Sequence, residues 1–510
     1  MDGHMCAELM DWTDVLAFGE LQDGAITPVS IGDKALVLYR EGDEVRAFDG
    51  KCPHKGAPME QGVACKTRHG DVQLVCPWHK ASFSAETGRL IEPPALDPLA
   101  RYPVELHDGR VLVGKVAIKR EAPAPMRQHE VIAIVGAGAA AIAASVTLRE
   151  EGFAGRILLI GPESDLPYDR TALSKMTLAN ADPEATPPAL RPESWYQDHR
   201  IERVIDRVVS LDTETRTVTL EQGEPVTPDH ILLASGSRAR GLDLPGSTLE
   251  GVHTLRSAGD VRAIAASVSE TTSVVVIGSG FIGMEAAACL RKRGAGVTVV
   301  SKTELPFEKQ LGREIGTEMR SLHEGKGVAF IPSCSVKTIN GADRVQSVTL
   351  EDGSEITADL VIAGIGAEPA LDYLSAYARA DDGGIEVDET MCFAPHIYAA
   401  GDIASVDHEG KRYRIEHWRT AQIQARIATR AMLGLPASTL STPWFWTQQY
   451  DRKIEYLGWP APFDHVEIDG DARSFDFTAH YVDESGKTLA LAAAGRPKEM
   501  CKAAVTFDDA

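Results

Sequence analysis

The sequence repeats one short pattern, in which an apolar strand is followed by a glycine-rich turn and a helix rich in small residues. The first copy, VIAIVGAGAAAIAASVTLREEG, begins at Val131, and the second, SVVVIGSGFIGMEAAACLRKRG, begins at Ser273. Another apolar run follows each helix, RILLIG in the first copy and VTVV in the second. Units of this kind build parallel sheets with helices on both faces. The repeat therefore predicts two doubly wound α/β dinucleotide-binding domains.

The chain on either side of these units has a different pattern. Residues 9–117 contain short apolar runs around turn signals, as in KALVLYREGDEVRAFDGKC, where residues 41–44 predict a hairpin turn. We therefore expect an all-β module at the N-terminus. The stretch 118–129 is rich in proline and charge, which predicts a linker. Short strands return after residue 436, so a small α+β domain is expected over 436–510.

The composition excludes some classes of partner. There are 74 acidic and 52 basic residues, so the formal net charge is -22. Nucleic acids and anionic membranes attract clustered positive charge, and we expect neither as a partner. No run approaches the roughly 20 apolar residues of a membrane span. The first residues lack a basic region followed by an apolar one, so we expect no signal peptide. Eight thinly scattered cysteines are typical of a protein in a reducing cytoplasm. We expect the protein to be a monomer or a homodimer.

Two pairs of metal-ligand residues lie on loops of the all-β module. The first pair is Cys52 and His54, and the second is Cys76 and His79. Two thiolates and two imidazoles form the ligand set of a Rieske [2Fe–2S] cluster and also of a structural zinc site. Zinc patterns commonly pair like with like along the chain, whereas each loop here contributes one Cys and one His. The mixed pairs favour the iron–sulfur cluster over zinc.

The first glycine-rich turn contains Gly136, Gly138 and Ala141. Glycines allow a tight turn and a close approach of the backbone to a pyrophosphate, while the helix N-terminus supplies amide donors. Glu163 comes shortly after the next strand, where an acid hydrogen-bonds a ribose hydroxyl. We expect a dinucleotide at this turn, and two such turns in one chain suggest FAD together with NAD(P)H.

The second turn, GSGFIG, has the complete glycine pattern with Gly278, Gly280 and Gly283, and Ile282 within it is a further candidate cofactor-binding residue. An NAD site usually has an acid at the end of the second strand, but here Ser301 and Lys302 occupy that position. A small polar or basic residue there also suits a 2′-phosphate. We expect a nicotinamide dinucleotide at this turn, with the choice between NADH and NADPH left open.

The N-terminal module resembles the Rieske ferredoxin family over about 110 residues. By this resemblance, Cys52 and Cys76 hold an inner iron, and His54 and His79 hold an outer iron near the surface. The extra cysteine pair of respiratory Rieske proteins is missing, which favours the lower-potential, ferredoxin-like kind. The remaining cysteines are interpreted as ordinary small apolar residues: Cys6, Cys65, Cys289, Cys334, Cys392 and Cys501.

Residues 130 to about 505 resemble the FAD-dependent pyridine-nucleotide oxidoreductases, in particular ferredoxin reductases of oxygenase systems and the apoptosis-inducing-factor-like branch. The matching segments are LPYDRTALSK (166–175), ILLASGSRARGLDLPG (231–246), IYAAGDIAS (397–405), RIEHWRTAQIQA (414–425) and PWFWTQQYD (443–451). Disulfide reductases of the same superfamily carry a Cys pair where this chain has DRTALSK. No Cys lies between Cys76 and Cys289, which excludes dithiol chemistry on that helix.

The resemblance also implies roles for individual residues. Lys175 is expected to pair with Glu285 beside the flavin N5, where a cation stabilises the reduced, anionic ring; these two are the predicted catalytic residues. Other residues are expected to bind the cofactors, namely Arg170, Ser235, Gly236, Gly366, Gly401, Asp402, His417, Trp418 and Trp446. The resemblance further implies a divided FAD domain (130–253 and 363–435) with the NAD(P)H domain (254–362) inserted.

Together these features predict a converter that passes electrons from NAD(P)H to FAD and then to a fused [2Fe–2S] cluster. An external acceptor protein, a Rieske oxygenase or monooxygenase component, is the expected destination. Two alternatives stay open on the sequence alone. One is an NAD(P)H-driven flavin oxidase, and the other is a redox-sensing protein of the apoptosis-inducing-factor-like kind.

Overall fold

The structure, a computed structural model, describes residues 11–67, 69–180, 182, 184–375 and 377–507. The chain forms two compact units, and it passes from the first to the second after Ala124 and back to the first after Gly495. The first unit holds the described residues up to Ala124 together with those from Arg496 onward, and the second is Pro125–Gly495.

The first unit is built mainly of short strands. They are β1 (Trp12–Ala17), β2 (Ile26–Ile31), β3 (Lys34–Glu41), β4 (Glu44–Asp49), β5 (Val63–Lys66), β6 (Val72–Val75), β7 (Ser82–Ser84), β8 (Leu90–Glu92), β9 (Arg101–Tyr102), β10 (Val104–His107) and β11 (Arg110–Gly114). These form three antiparallel sheets with the orders β2-β3-β4-β9, β5-β6-β7-β8 and β1-β11-β10. The predicted hairpin is β3–β4, in which Glu41 pairs with Glu44 across the turn.

The first dinucleotide-binding sheet is assembled from two separate parts of the chain. Its first part contributes β12 (Val131–Val135), α1 (Ala139–Glu150), β13 (Arg156–Gly161), α2 (Glu193–Asp198), β14 (Ile201–Ile205), β15 (Val208–Asp212), β16 (Thr217–Leu220), β17 (His230–Leu233) and β18 (Ser237–Ala239). The sheet order is β14-β13-β12-β17, followed by two strands that come much later in the chain. Within this first part the sheet strands are parallel, as the βαβ pattern predicts.

The second dinucleotide-binding sheet lies between those two parts. Its elements are β19 (Val252–Thr254), α3 (Ala258–Ser267), β20 (Ser273–Ile277), α4 (Phe281–Lys292), β21 (Gly296–Val300), α5 (Glu308–Gly325), β22 (Val328–Ile331), β23 (Val336–Asn340), β24 (Ser347–Leu350), β25 (Glu355–Thr357) and β26 (Leu360–Ala363). The order β19-β26-β20-β21-β22 is parallel. The carboxyl ends of β20 and β21 therefore meet at one edge, where ligands bind in such sheets.

The chain then returns to the first sheet and ends in a separate antiparallel sheet. The returning elements are β27 (Ala367–Pro369), β28 (Ile385–Glu386), β29 (Cys392–Ala394), β30 (Ile397–Ala399), β31 (Ala404–His408), β32 (Lys411–Arg414) and α6 (Trp418–Met432). They are followed by β33 (Trp444–Gln449), β34 (Arg452–Gly458), β35 (His465–Asp471), β36 (Asp476–Val482), β37 (Thr488–Ala494) and α7 (Pro497–Thr506). The final sheet has the order β33-β34-β37-β36-β35.

The observed architecture confirms the predicted fold class: an all-β N-terminal region, two α/β dinucleotide-binding domains and a small C-terminal sheet domain. The apolar strands β20, β21 and β26 pack with α4 and α5 into one continuous core. Within the described part of the chain, no helix is both long enough and apolar enough to cross a membrane.

Candidate functional site

The loop around Cys52 is a tight turn closed by its own backbone. The Cys52 N–H donates to the Ala57 carbonyl at 2.8 Å, and the Gly56 N–H donates back to the Cys52 carbonyl at 2.9 Å. Gly56 has a φ of 72°, in the left-handed region that glycine enters without strain. His54 lies within this turn.

The loop around Cys76 repeats this turn with a different residue at the critical position. The Cys76 N–H donates to the Ala81 carbonyl at 2.9 Å, and the Lys80 N–H donates to the Cys76 carbonyl at 3.2 Å. Lys80 therefore occupies the position of glycine in the first loop, with a φ of 60°. Its side chain is fully buried, and its ammonium donates to the Pro77 carbonyl at 2.9 Å.

The two loops bring like ligands together. The thiols of Cys52 and Cys76 are hydrogen-bonded to each other, which raises the pKa of Cys52 and lowers that of Cys76 to about 7. The imidazoles of His54 and His79 lie edge to face with centroids 4.9 Å apart. Both thiols are buried, whereas both imidazoles are half-buried. This arrangement fits a two-iron cluster with a sulfur-ligated inner iron and a histidine-ligated outer iron.

The first glycine-rich turn uses its glycines in two ways. Gly136 has a φ of 123°. A Cβ there would lie 2.1 Å from the carbonyl oxygen of Ala234, the residue that follows the neighbouring strand β17. A Cβ on Gly138 would meet nothing within 4 Å, so this position opens onto free space. Helix α1 begins at the next residue, Ala139, with Ala141 buried behind it. The turn and the helix amides fit a pyrophosphate.

The second turn has the same construction and a measurable cavity. Gly278 has a φ of 105°, and a Cβ there would lie 2.4 Å from the Gly364 carbonyl oxygen, whereas Gly280 opens onto free space. A Cβ on Gly283 would lie 2.4 Å from the Gly278 carbonyl oxygen. The third glycine is therefore needed because the start of α4 packs closely against the turn. Ile282 lies beside these glycines and is 43% exposed.

A cavity of about 590 Å³ lies over this turn. Several predicted cofactor-binding residues line it, namely Gly278, Gly280, Ser301, Lys302 and Gly366, whereas Ile282 and Gly283 do not. The Ser301 hydroxyl donates to the Thr303 carbonyl at 2.8 Å. Lys302 is exposed and is the first cationic residue after β21 in the chain.

The predicted Lys175–Glu285 pair is present. Lys175 lies on a single π-helical segment, Leu173–Thr177, and Glu285 lies on α4. The Lys175 ammonium is 2.8 Å from the Glu285 carboxylate. The hydroxyl of Ser174 donates to the same carboxylate oxygen, and Thr447 donates to the other oxygen at 2.8 Å. Because the buried carboxylate has three donors, its charge is compensated within the fold.

Thr447 connects this pair to a buried histidine that sequence reasoning did not identify. The Gln449 amide donates to the Thr447 hydroxyl at 3.3 Å, and the Gln449 carbonyl oxygen is hydrogen-bonded to Nε2 of His323. Burial lowers the pKa of His323 to about 4. Alternating polar residues at 447 and 449 on β33 were a usable signal, because they point to the same face of the strand.

On the same strand, Trp446 points to the face opposite Thr447. It is half-buried and its ring centroid lies 5.2 Å from that of Trp444. The expected contact of Trp446 with the flavin stays a prediction.

Arg170 and Glu163 form an ion pair with each other. The Arg170 guanidinium also donates to the Tyr168 hydroxyl at 2.9 Å, and that hydroxyl donates to Glu163 at 2.5 Å. The predicted FAD contact and the predicted ribose acid are therefore held together after β13. Their contacts with a cofactor stay predictions.

Asp402 is held by two residues that sequence reasoning did not identify. The Arg256 guanidinium donates to its carboxylate at 2.6 Å, and the Ser237 hydroxyl donates to the same oxygen. The preceding residue, Gly401, has a φ of 81° and donates its N–H to the Gln424 side chain at 2.7 Å. This network fixes the carboxylate after β30.

The last predicted positions flank strand ends and the start of α6. The Ser235 hydroxyl is within 2.7 Å of the Ala370 carbonyl oxygen, and Gly236 has a φ of 68°. His417 precedes α6, and burial lowers its pKa to about 4. Trp418 is the first residue of that helix.

The cysteines outside the two ligand loops differ in burial and in hydrogen bonding. Among the described residues Cys65, Cys289 and Cys501 are buried, while Cys334 and Cys392 are half-buried; Cys6 lies outside the described residues. Cys289 donates to the carbonyls of Ser174 and Lys175 at 3.1 and 3.0 Å. Cys289 therefore packs in the core and also stabilises, through its thiol, the segment that carries Lys175.

Three family models match the chain. The Rieske [2Fe-2S] domain matches residues 11–103, the pyridine nucleotide-disulphide oxidoreductase model matches 130–425, and the reductase C-terminal model matches 444–509.

Individual relatives agree with these matches. Apoptosis-inducing factor 3 of Homo sapiens is 33% identical, covering 91% of this chain and 78% of its own. The biphenyl dioxygenase system ferredoxin–NAD(+) reductase component of Paraburkholderia xenovorans (strain LB400) is 36% identical, over 68% of this chain and 85% of its own. The covalent putidaredoxin reductase–putidaredoxin complex superposes with a TM-score of 0.71 and 28% identity, over 75% of this chain and 94% of that one.

Proposed function

Because this chain belongs to the pyridine nucleotide-disulphide oxidoreductase family, we propose that it passes electrons from NAD(P)H through FAD to its own [2Fe–2S] cluster. The chain is an oxidoreductase with FAD, NAD(P)H and a Rieske cluster as its cofactors. One observation carries the proposal. Two dinucleotide turns and a complete Cys₂His₂ loop pair occur in the same chain.

When bound, the nicotinamide supplies a hydride, the flavin takes two electrons and gives them up singly, and the cluster takes one electron at a time. The protein's residues position these groups. Gly138 and Gly280 open onto free space at the N-termini of α1 and α4, where a pyrophosphate would lie. Lys175 would supply positive charge beside the flavin, and Glu285 fixes the position of that charge. Asp402, held by Arg256, would accept from the ribityl chain.

We propose an external protein, an oxygenase component, as the final acceptor. The support is the name of one relative, a reductase component of a dioxygenase system, and a superposed complex of a reductase with putidaredoxin. Those printed partners belong to the relatives. The fused cluster here would take the place of a separate ferredoxin and raise its local concentration at the flavin.

The proposed domain limits are those that the sequence predicts: 9–117, 130–253 with 363–435, 254–362 and 436–510. Strand pairing supports the inserted domain to within a few residues, since β19 and β26 both join its sheet. The last helix, α7, instead groups with the first unit.

The test is an anaerobic titration of the holoprotein with NADH, and separately with NADPH, followed by absorbance and low-temperature EPR together. We expect the flavin to bleach and the EPR signal of a reduced Rieske cluster to grow in the same samples. Bleaching while an intact cluster stays oxidised would overturn the proposal. The more effective donor identifies the nicotinamide preference.

The Cys76→Ser variant provides the matched control, because it removes one cluster ligand and leaves the dinucleotide turns unchanged. We expect this variant to bleach its flavin with NADH but to lose reduction of cytochrome c, a one-electron protein acceptor. The contrary outcome is that the variant and wild type consume NADH with oxygen at the same rapid rate. The chain would then be a flavin oxidase.

A further inference from the structure

The last helix of the chain belongs to the first unit. Helix α7 (Pro497–Thr506) follows β37 after two residues, and the reductase C-terminal family model covers it, since that match runs to residue 509. Yet the chain from Arg496 onward groups with the unit that contains the cluster loops. A segment of the reductase sequence is therefore part of the Rieske unit.

An apolar contact attaches the helix to the cluster-binding sheet. Cys501, on the inner face of α7, is fully buried against Cys65 on β5 and Val75 at the end of β6. Val505, one helical turn further on, packs against the same cluster, as does Val63 at the start of β5. The residue after Val75 is the cluster ligand Cys76, so the contact lies directly at the base of the second ligand loop.

A hydrogen bond extends this contact to the ligand itself. The Cys501 thiol donates to the Cys76 carbonyl oxygen, with sulfur and oxygen 3.6 Å apart. The same oxygen accepts the Lys80 N–H that closes the ligand turn. The helix thus adds a second donor to the peptide that determines where the Cys76 sulfur points.

We propose that α7 is a working part of the cluster site and that Cys501 is a positioning residue for Cys76. Without the helix, the apolar faces of Cys65 and Val75 lose their cover, and the second ligand loop loses its outer support. Partners of this kind orient metal ligands, and hydrogen bonds around cluster ligands tune reduction potentials. Cluster retention and cluster potential therefore depend on residues at the far end of the chain.

The first test compares the full-length holoprotein with a chain that ends at Gly495. The readouts are iron per flavin, EPR g values and the cluster midpoint potential. We expect the shortened chain to bind iron more weakly, by about ten-fold or more. Flavin content should be unchanged, because the FAD turn lies in the second unit. A shortened chain with full iron content and an unshifted potential would overturn the proposed role of the helix.

Point variants of α7 test the role of Cys501 even if the shortened chain fails to fold. Cys501→Ala removes the donor, Cys501→Ser restores a donor of similar size, and Lys498→Ala changes an exposed residue of the same helix. We expect a shifted potential and altered g values for C501A, partial return for C501S, and wild-type values for K498A. Identical potentials in C501A and wild type would overturn the positioning role.

Discussion

The ammonium of Lys175 lies 2.8 Å from the carboxylate of Glu285, a residue with only 4% of its side chain exposed. Lys175 reaches it from a π-helical segment, and Ser174 from the same segment donates to the same oxygen. A single π-turn is frequent at functional sites. Here it directs two consecutive side chains at one buried acid, so the cation has a fixed position.

Replacing the cation should slow flavin reduction. Lys175→Met removes the charge but keeps a similar length, and we expect NADH-dependent flavin bleaching in stopped flow to slow by about 10²-fold. The flavin midpoint potential should fall because the reduced ring loses a stabilising charge. The control is Arg156→Met, which breaks an exposed ion pair with Glu202. Equal rates for the two variants would contradict the role of Lys175.

Acid should destabilise the chain through His323. Its ring is fully buried and its folded pKa is about 4, against about 6.5 when unfolded. Below pH 6.5 the unfolded chain therefore binds a proton that the folded chain does not. Stability falls until the pH reaches about 4, by about 3 kcal/mol in total.

The measurement is the urea midpoint for flavin release at pH 7 and pH 5. We expect the midpoint of wild type to drop over this interval and that of His323→Gln to drop less. His107→Gln, at an exposed histidine, should behave as wild type. A variant with an undiminished drop would show that His323 does not carry the effect.

The buried cation in the second cluster loop should raise the cluster potential. Lys80→Gly would place in this loop the residue that the first loop has at Gly56, which removes the strain of a positive φ. It also removes a positive charge that favours the reduced cluster. We expect a lower midpoint potential by EPR-monitored titration with iron content retained. Lys55→Ala, at an exposed lysine of the first loop, should leave the potential nearly unchanged.

The two glycines of the second turn should fail in different ways. Gly280→Ala places a methyl group in open space, so we expect a folded protein that binds NADH weakly by titration. Gly278→Ala combines a positive φ with a Cβ that would lie only 2.4 Å from the Gly364 carbonyl oxygen, so we expect lower thermal stability as well. A Gly280→Ala variant that binds NADH normally would argue against a pyrophosphate at this turn.

The sequence was most informative where function depends on neighbouring residues. The glycine turns and both ligand loops are local patterns, because a positive φ at Gly136 or Gly56 is a property of one short segment. The Lys175–Glu285 pair, 110 residues apart, was accessible only through a family resemblance.

Contacts between distant segments could not be predicted in the same way. Thr447, Gln449 and His323 meet because β33 packs beside α4 and α5, and Arg256 reaches Asp402 from after β19. The alternating polar residues on β33 indicate a polar face, but the sequence does not identify the distant side chains that each of these residues contacts. The position of α7 is a case of the same kind, since its burial of Cys65 depends on tertiary packing alone.

The membership of α7 in the first unit reverses the usual order of assembly during protein synthesis. Domains generally fold from the N-terminus as they leave the ribosome, at about 5–20 residues per second. Here the strands around Cys65 and Cys76 emerge early, but the helix that covers them is made only after the whole second unit. For roughly tens of seconds the nascent first unit exposes an apolar patch beside a cluster ligand. Of these two units, the one whose translation begins earlier is therefore completed later.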